Sequence, residues 1–304
     1  MRALLIGAVE GTRVAANAIA ATPGWELAAI ATLPPELAAR HSDFVDLAPV
    51  AAHHGASLVP VAQCNAPAFL EEMRALAADI VFVIGWSQIC GPEFRAAAGG
   101  RVVGYHPAPL PRLRGRAVIP WTILLDEKIT ASSLFWIDDG VDSGPLLAQR
   151  FFHVAPGETA GTLYAKHMTA LDAMLRELLP QLAQGPVPGE VQDEAVATWA
   201  TRRRPSDGQI DWREPAEQVE RLVRAVGRPY PGAFTDAAGK RVTIWSARAC
   251  ACADRKHASP GQVVLRDETG FAVRCGDGRA LHVLDFETAA SGAPMLHSVL
   301  GGGA

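Results

Sequence analysis

The sequence lacks the features that mark membrane-embedded and secreted proteins. None of its apolar runs approaches the roughly 18 uninterrupted residues that a transmembrane helix needs. The apolar run that ends at Gly7 is too short for a signal peptide. The five cysteines are few and odd in number, which argues against a disulfide scaffold. We therefore expect a cytoplasmic protein.

Motifs for nucleotide and metal binding are missing as well. Gly7 and Gly11 do not form the G-x-G-x-x-G fingerprint of dinucleotide-binding proteins, and no Walker A motif occurs. Cys250 and Cys252 lack a second pair of ligands at the spacing of a zinc site. The acidic turn at 138–142 lacks the carboxylate spacing of an EF-hand loop. We therefore expect no metal ion.

The chain has little net charge, and that charge is unevenly divided. Residues 1–197 contain 13 Lys and Arg against 20 Asp and Glu, a net charge of −7. Residues 198–304 contain 15 Lys and Arg against 12 Asp and Glu, a net charge of +3. Neither part has the strong basic surface expected of a nucleic-acid binder. The change of sign, together with the Pro- and Gly-rich segment 185–189, predicts domains at 1–197 and 198–304.

Short apolar runs alternate with helical patterns through the first of these parts. The predicted strands are 4–6, 26–32, 57–61, 80–84 and 101–104, followed by an apolar pair at 132–137 and 146–152. Helical spacing is strongest at 160–179, and Pro180 predicts the end of that helix. Strands that alternate with helices imply right-handed crossovers, so we predict an α/β domain with a mostly parallel sheet.

The second part has a different pattern. One helix is predicted at 216–226, and several short strand candidates with Gly-rich turns follow it. Short strands joined by tight turns are typical of a small β-barrel. The sequence therefore predicts a barrel domain after the α/β domain.

The densest chemical motif follows the predicted strand at 101–104. His106 precedes prolines at positions 107, 109 and 111, which make a stiff loop that leaves the imidazole little freedom. Loops at the carboxyl ends of strands form the ligand crevice of open α/β sheets. From these residues alone, a catalytic histidine and a histidine buried near a turn are equally consistent with the pattern.

Several segments, taken in order, resemble the folate-dependent formyltransferases, which include methionyl-tRNA, glycinamide-ribonucleotide and sugar-nucleotide N-formyltransferases. The segments are Gly85-Trp86-Ser87-Gln88, His106-Pro107-x-Pro109-Leu110-Pro111-x-x-Arg114-Gly115-Arg116, Pro120-Trp121, Asp138-x-Gly140-x-Asp142-Ser143-Gly144, Arg203-Arg204-Pro205-x-Asp207-Gly208-x-Ile210-Asp211-Trp212 and Arg224-Ala225-x-x-x-Arg228-Pro229-Tyr230-Pro231-Gly232-Ala233-Phe234. Their spacing matches as well as their content. The resemblance spans roughly residues 1–286 and implies a Rossmann-like formyltransferase domain followed by a small OB-like β-barrel domain.

The resemblance implies transfer of a formyl group from 10-formyltetrahydrofolate to an amine. Attack of an amine on a formyl carbon develops an oxyanion, which a fixed imidazolium can stabilise in a water-poor cleft. By the family pattern, His106 has this role. The same resemblance implies that Asp142 pairs with His106 and helps to move the proton that the amine loses.

The resemblance also implies a pocket for the pterin of the formyl donor. The residues expected to form it are Trp86, Ser87, Gln88, Ile89, Cys90, Leu110, Arg114, Gly115, Asp138, Gly140 and Asp142. Trp86 keeps two interpretations, since an indole can stack on a pterin or fill the core.

The sequence departs from the family at one catalytic position. Where the family has Asn-x-His, this chain has Gly104-Tyr105-His106. The missing amide would donate to the formyl oxygen, and loss of one such donor typically lowers a rate by about 10²–10³-fold. We hypothesise that the Gln88 amide replaces it by entering the space that Gly104 leaves.

Three functions stay open for the chain. The first is formyl transfer to a small-molecule amine, by family analogy an amino sugar attached to a nucleotide. The second is methionyl-tRNA formyl transfer, which the acidic first part disfavours because tRNA binding needs clustered Lys and Arg. The third is a 10-formyltetrahydrofolate-binding hydrolase or an inactive homologue. We expect no membrane partner, and the sequence leaves open whether the chain forms a homodimer.

Overall fold

The structure is a computed structural model that describes residues 1–251, 257–289 and 292–301. Cys252, one half of the cysteine pair considered above, lies outside the described residues. The chain forms two compact units. The first comprises Met1–Val118, Ile129–His153 and Tyr164–Thr201, and the second comprises Ile119–Lys128, Val154–Leu163 and Arg202–Ala304. The two earlier segments of the second unit were not anticipated, and the boundary at 197/198 stays a prediction.

Strands and helices alternate along the chain as far as His106, and beyond it two pairs of consecutive strands have no helix between them. The strands are β1 (Arg2–Ile6), β2 (Glu26–Thr32), β3 (Ser57–Pro60), β4 (Ile80–Val83), β5 (Val102–His106), β6 (Arg114–Gly115), β7 (Ile129–Trp136), β8 (Leu146–His153) and β9 (Trp199–Ala200). The helices are α1 (Glu10–Ala21), α2 (Ala48–His53), α3 (Pro67–Ala75), α4 (Pro92–Ala97), α5 (Val118–Leu124) and α6 (Ala160–Gln184).

A seven-stranded sheet organises the first unit, in the order β3-β2-β1-β4-β5-β7-β8. Pairings from β3 to β5 are parallel, and β7 and β8 extend the sheet with antiparallel pairings. The predicted Rossmann-like, mostly parallel α/β fold is confirmed. The chain runs outward from β1 to β3 and resumes on the other side of β1 at β4. Such a reversal opens a ligand crevice at the carboxyl ends of the strands.

The first helix is fixed to this crevice by a threonine. The Thr12 hydroxyl accepts a hydrogen bond from the Val9 N–H at 3.2 Å and donates to the Ile84 carbonyl at 2.7 Å. This satisfies an N–H at the start of α1 and attaches the helix to the end of β4. Small residues such as Ala15 are fully buried and let the helix lie close to the sheet.

Helix α6 is longer than the sequence predicts. It continues to Gln184 with Pro180 inside it, so the end predicted at Pro180 is wrong. A proline in a helix interior costs about 3 kcal/mol. Burial of Leu178, Leu179 and Leu182 offsets this cost, since each fully buried leucine stabilises the fold by about 1.5–3 kcal/mol. Within the described ranges, neither α6 nor any other helix is long and apolar enough to cross a membrane.

The second unit contains a separate antiparallel sheet. After helix α7 (Ala216–Val226) come β10 (Ala233–Ala237), β11 (Lys240–Cys250), β12 (Val263–Asp267), β13 (Gly270–Arg274) and β14 (Ala280–Thr288). They pair in the order β10-β11-β14-β13-β12. Val219 and Val223 lie on the buried face of α7. The predicted combination of an α/β part with a separate part built of one helix and short antiparallel strands is confirmed, and closure into an OB-like barrel stays a prediction.

Candidate active site

A cavity of about 440 Å³ lies at the carboxyl ends of β4 and β5. Its lining residues are Val83, Trp86, Ser87, Gln88, Ile89, Cys90, Gly104, Tyr105, Gly115, Arg116, Ala117, Phe135, Ile137, Gly140, Val141 and Asp142. The volume is in the range of small-molecule sites, about 300–1,000 Å³. The cavity therefore occupies the place where the topology predicts a ligand crevice.

His106 is the last residue of β5, and only 6% of it is exposed. Its Nε2 lies 2.7 Å from the carbonyl oxygen of Leu113. Because a carbonyl oxygen can only accept, we assign the proton to Nε2, which donates it. Nδ1 faces the carboxylate of Asp142, with 3.6 Å between Nδ1 and Oδ2. Nδ1 therefore carries no proton in this tautomer, and it faces the Asp142 carboxylate.

Asp142 adopts a backbone conformation that is uncommon for a residue with a side chain. Its φ is +53°, and such conformations persist where the surroundings hold them. Its Oδ2 accepts from the Gly115 N–H at 2.8 Å. The Gln192 amide donates to the carbonyl oxygens of Asp142 at 2.9 Å and Gly144 at 2.7 Å. Both the backbone and the carboxylate of Asp142 are therefore held in place.

The Arg114 side chain is not part of the cavity wall, which corrects its predicted contact with the pterin. The guanidinium is 1% exposed, donates to Gln192 Oε1 at 2.8 Å and forms an ion pair with Glu194 at 2.6 Å. Neighbouring residues of a strand face opposite sides, so Gly115 lies at the cavity while Arg114 points away from it. Arg114 thus fixes Gln192, which in turn fixes Asp142.

The hypothesis that the Gln88 amide fills the space beside Gly104 is wrong. Gln88 Oε1 accepts from the Cys64 N–H at 3.0 Å, and its Nε2 donates to the Ala62 carbonyl at 2.9 Å. A Cβ atom on Gly104 would lie 2.7 Å from Cζ of Phe135. The amide is engaged elsewhere, and a phenylalanine ring already occupies the space.

The loop after β4, which forms one wall of the cavity, is bound to the loop after β3. Asn65 donates to the Ile89 carbonyl and accepts from the Gly91 N–H, both at 2.8 Å. The buried thiols of Cys64 and Cys90 also meet here. A hydrogen bond from Cys90 lowers the pKa of Cys64, and the same contact together with burial raises the pKa of Cys90. These contacts order the wall without a ligand.

The acidic turn after β7 is held by a cation from the protein itself. The Arg95 guanidinium donates to the Asp138 carbonyl and pairs with the Asp139 carboxylate. Asp138 Oδ1 accepts from the Gly140 N–H at 3.0 Å and the Ser143 hydroxyl at 2.8 Å. Across the described ranges, no cluster of three or more His, Cys, Asp or Glu side chains could hold a metal.

Most of the residues predicted for the donor pocket line one cavity. They are Trp86, Ser87, Gln88, Ile89, Cys90, Gly115, Gly140 and Asp142. Leu110, Arg114 and Asp138 are not among the described lining residues. Leu110 is buried, and the Asp138 carboxylate points into its own turn. Apart from the corrected contact of Arg114, the catalytic and binding roles of these residues stay predictions.

Sequence reasoning missed three residues that shape the site: Gln192, Arg95 and Phe135. Gln192 follows the Pro- and Gly-rich segment and carries no local pattern. Arg95 is one arginine among many on short helices. Only Phe135 could have been found, since its place in an apolar strand puts it opposite Gly104 if the pairing of the two strands is known.

Family comparisons cover both parts of the chain. Residues 18–179 match the family model described as "Formyl transferase". Residues 203–295 match the model described as "Formyl transferase, C-terminal domain". The two matches occur in the order that the sequence motifs predict.

Solved structures of similar fold include two that match over nearly their whole length. WlaRD, a sugar 3N-formyl transferase solved with dTDP and 5-N-formyl-THF, has 14% identity and a TM-score of 0.68, covering 96% of this chain and 98% of that one. The N-formyltransferase of Helicobacter canadensis, solved with folinic acid and dTDP-3-aminofucose, has 15% identity and a TM-score of 0.66, covering 93% and 98%. At sequence identities this low, the structural match establishes a shared fold alone.

A third similar structure is much longer than this chain. HypX of Aquifex aeolicus in complex with tetrahydrofolic acid has 16% identity and a TM-score of 0.66, covering 95% of this chain. This chain spans 44% of the HypX chain. Since the formyl transferase model alone covers more than half of the residues, the predicted resemblance is confirmed. The chain belongs to the formyltransferase family.

Proposed function

We propose that the chain transfers a formyl group from 10-formyltetrahydrofolate to the amine of a nucleotide-linked amino sugar. The observation that carries this proposal is the pairing of His106 with Asp142 at 3.6 Å, beside the cavity at the ends of β4 and β5. A buried imidazole next to a carboxylate can exchange a proton with a reacting amine.

The cavity has the properties that a reduced folate requires. At two of its lining glycines, Gly115 and Gly140, the backbone has no side chain of its own to separate it from a flat ligand. The buried indole N–H of Trp86 is directed at the Cys64 thiol, which fixes the ring at the edge of the cavity. Ile137 provides apolar surface. When bound, the folate would supply an activated one-carbon acyl group.

Three groups of the chain would act on that acyl group and its acceptor, each in a different role. His106 is oriented by the Leu113 carbonyl, so its Nδ1 holds or accepts a proton. Asp142 stabilises the imidazolium that results, and the Gly115 N–H keeps the carboxylate in place. Because His106 is almost fully buried, water competes weakly for these contacts.

The choice of acceptor rests on charge and on the similar structures. WlaRD is described as a sugar formyltransferase, and the Helicobacter enzyme was solved with a dTDP-amino sugar. Both match this chain over nearly its full length. The net charge of −7 in residues 1–197 disfavours tRNA.

One observation favours a second function, hydrolysis of the formyl donor. Phe135 fills the side-chain space of Gly104, so no side-chain amide donates from that position. A slow transfer step would leave the donor exposed to water.

An acceptor panel tests both functions. The full chain is incubated with donor labelled in its formyl carbon, together with a dTDP-3-amino sugar, glycinamide ribonucleotide or methionyl initiator tRNA. We expect label on the amino sugar at least about tenfold faster than on the other acceptors, a difference of about 1.4 kcal/mol. Preference for another acceptor contradicts the sugar assignment. Label released only as formate, independent of acceptor, supports hydrolysis.

A further inference from the structure

Gly104 and Phe135 lie directly opposite each other on the antiparallel strands β5 and β7. A Cβ atom on Gly104 would be 2.7 Å from Cζ and 3.0 Å from Cε1 of the Phe135 ring. It would also be 3.0 Å from Cγ1 of Ile137. The ring therefore lies over the backbone of residue 104, and any side chain there must displace it.

This ring forms part of the cavity wall next to the predicted catalytic histidine. Gly104 and His106 are two residues apart on β5, so they face the same side of the sheet. Phe135 lines the cavity although only 4% of it is exposed. The surface beside His106 is thus a packed hydrocarbon ring with no hydrogen-bonding group. Close packing leaves such a ring little room to yield.

We propose that Phe135 is a specificity-determining residue of the formyl-donor site, limiting the acyl group held beside His106 to one carbon. Gly104 is required because the Phe135 ring occupies its side-chain space. The proposal rests on the proposed function, since it concerns the donor bound in the same cavity. One added methyl or methylene group in a tight apolar pocket changes binding by about 10–200-fold. A wall that cannot yield therefore excludes an acetyl group at the position of the formyl group.

The packing half of the proposal is tested without any ligand, by a double-mutant cycle on thermal stability. We expect Gly104→Ala to lower Tm by about 2–10 °C, since overpacking a core costs about 1–3 kcal/mol. In a Phe135→Ala background, the same change should lower Tm by less than half as much, since only the contact with Ile137 remains. Gly157→Ala is the control, because a Cβ there meets no atom within 4 Å. Equal losses in both backgrounds, or no loss in the wild type, would overturn the proposal.

The specificity half is tested by equilibrium binding of 10-formyl- and 10-acetyl-5,8-dideazafolate. We expect wild-type protein to bind the formyl compound at least about tenfold more tightly. Phe135→Ala should reduce this ratio to within about threefold. Phe135→Leu, which replaces the alanine variant if that variant is unstable, should give an intermediate ratio. Phe151→Ala, at an exposed phenylalanine of β8, should keep the wild-type ratio.

Each outcome of the binding experiment either supports or overturns the role of Phe135 in selecting the acyl group. Wild-type protein that binds both compounds equally overturns this proposal and leaves the proposed function standing. An unchanged ratio in both Phe135 variants does the same. Wild-type protein that binds neither compound overturns both.

Discussion

The two faces of the sheet at β5 and β7 each bury a histidine, in opposite chemical settings. On the cavity face, His106 has Nε2 bound to a carbonyl and Nδ1 turned toward the Asp142 carboxylate. On the α6 face, His167 has Nδ1 within 2.9 Å of the Ser132 hydroxyl. Its Nε2 has no partner among the described residues.

The difference shows which surroundings disfavour a charged imidazole and which provide a counter-charge for one. His167 is fully buried, and no carboxylate of the described residues pairs with it; loss of solvation, with a smaller effect of His106, lowers its pKa to about 3. It therefore stays neutral at ordinary pH. His106 is nearly as buried, but an imidazolium there has a counter-charge within reach. Burial alone gives a structural histidine, and an adjacent carboxylate is what makes proton transfer feasible.

The largest expected effect comes from removing the basic nitrogen on the cavity face. His106→Gln keeps an N–H for the Leu113 carbonyl but has no counterpart of Nδ1. We expect the rate of formyl transfer to fall by about 10²–10⁴-fold, the usual worth of a general acid–base group. Single-turnover kinetics measure it. A rate within threefold of wild type would remove His106 from the chemistry.

Neutralising the carboxylate should have a somewhat smaller effect. Asp142→Asn keeps an oxygen to accept from the Gly115 N–H but removes the charge that faces His106. We expect a fall of about 10²-fold in kcat, with folate-analogue affinity within about threefold of wild type. Measuring kcat and the Kd of the folate analogue in parallel separates an effect on the chemical step from an effect on binding. Loss of affinity with kcat intact would make Asp142 a binding residue only.

On the other face, the expected effect is on stability and its pH dependence. The pKa of His167 is lowered to about 3 from 6.5, so the unfolded chain takes up a proton that the folded chain does not. Stability is therefore full above pH 6.5 and falls as pH drops toward 3, by up to about 1.4 kcal/mol per pH unit.

His167→Asn removes the titrating group while keeping a polar atom near Ser132. Urea unfolding at several pH values should show that the unfolding free energy of the variant changes less with pH than that of the wild type. The rate of formyl transfer should stay within about threefold of wild type at neutral pH. A slope identical to that of wild type would mean that His167 does not titrate as a buried neutral group.

The smallest effect is expected at the acidic turn that carries Asp142. Arg95→Met removes the cation that holds Asp138 and Asp139. The turn must then be ordered when a ligand binds, which should weaken folate-analogue binding by about three- to tenfold. Arg150→Met, which breaks an exposed ion pair with Glu177, is the matched control. Equal affinities in the two variants would show that Arg95 does not order the site.

Much of the fold could be predicted because apolar periodicity reports it directly. The runs at 4–6, 26–32 and 80–84 lie within or almost coincide with β1, β2 and β4, since strands buried on both faces are continuously apolar. The end of α6 could not be predicted, because the rule that a proline ends a helix uses only the local sequence. The burial of Leu182, which favours a longer helix, depends on the tertiary fold.

The site could be predicted as far as its motifs reach. The motifs bring His106, Asp142 and the loop after β4 together, as expected. They do not report side-chain direction, so Arg114 was assigned to the pocket although it binds Gln192. They also could not show that Phe135 fills the space beside Gly104, because that contact depends on the register of two strands.

The fate of the formyl carbon tests the central claim most directly. Wild-type protein is mixed with formyl-labelled donor, with and without a dTDP-amino sugar, and label is followed by NMR in donor, formate and sugar. We predict label on the sugar amine when the acceptor is present and negligible release as formate when it is absent. Label that stays on the donor, or appears as formate at the same rate in both mixtures, would contradict a formyl-transferring role for this site.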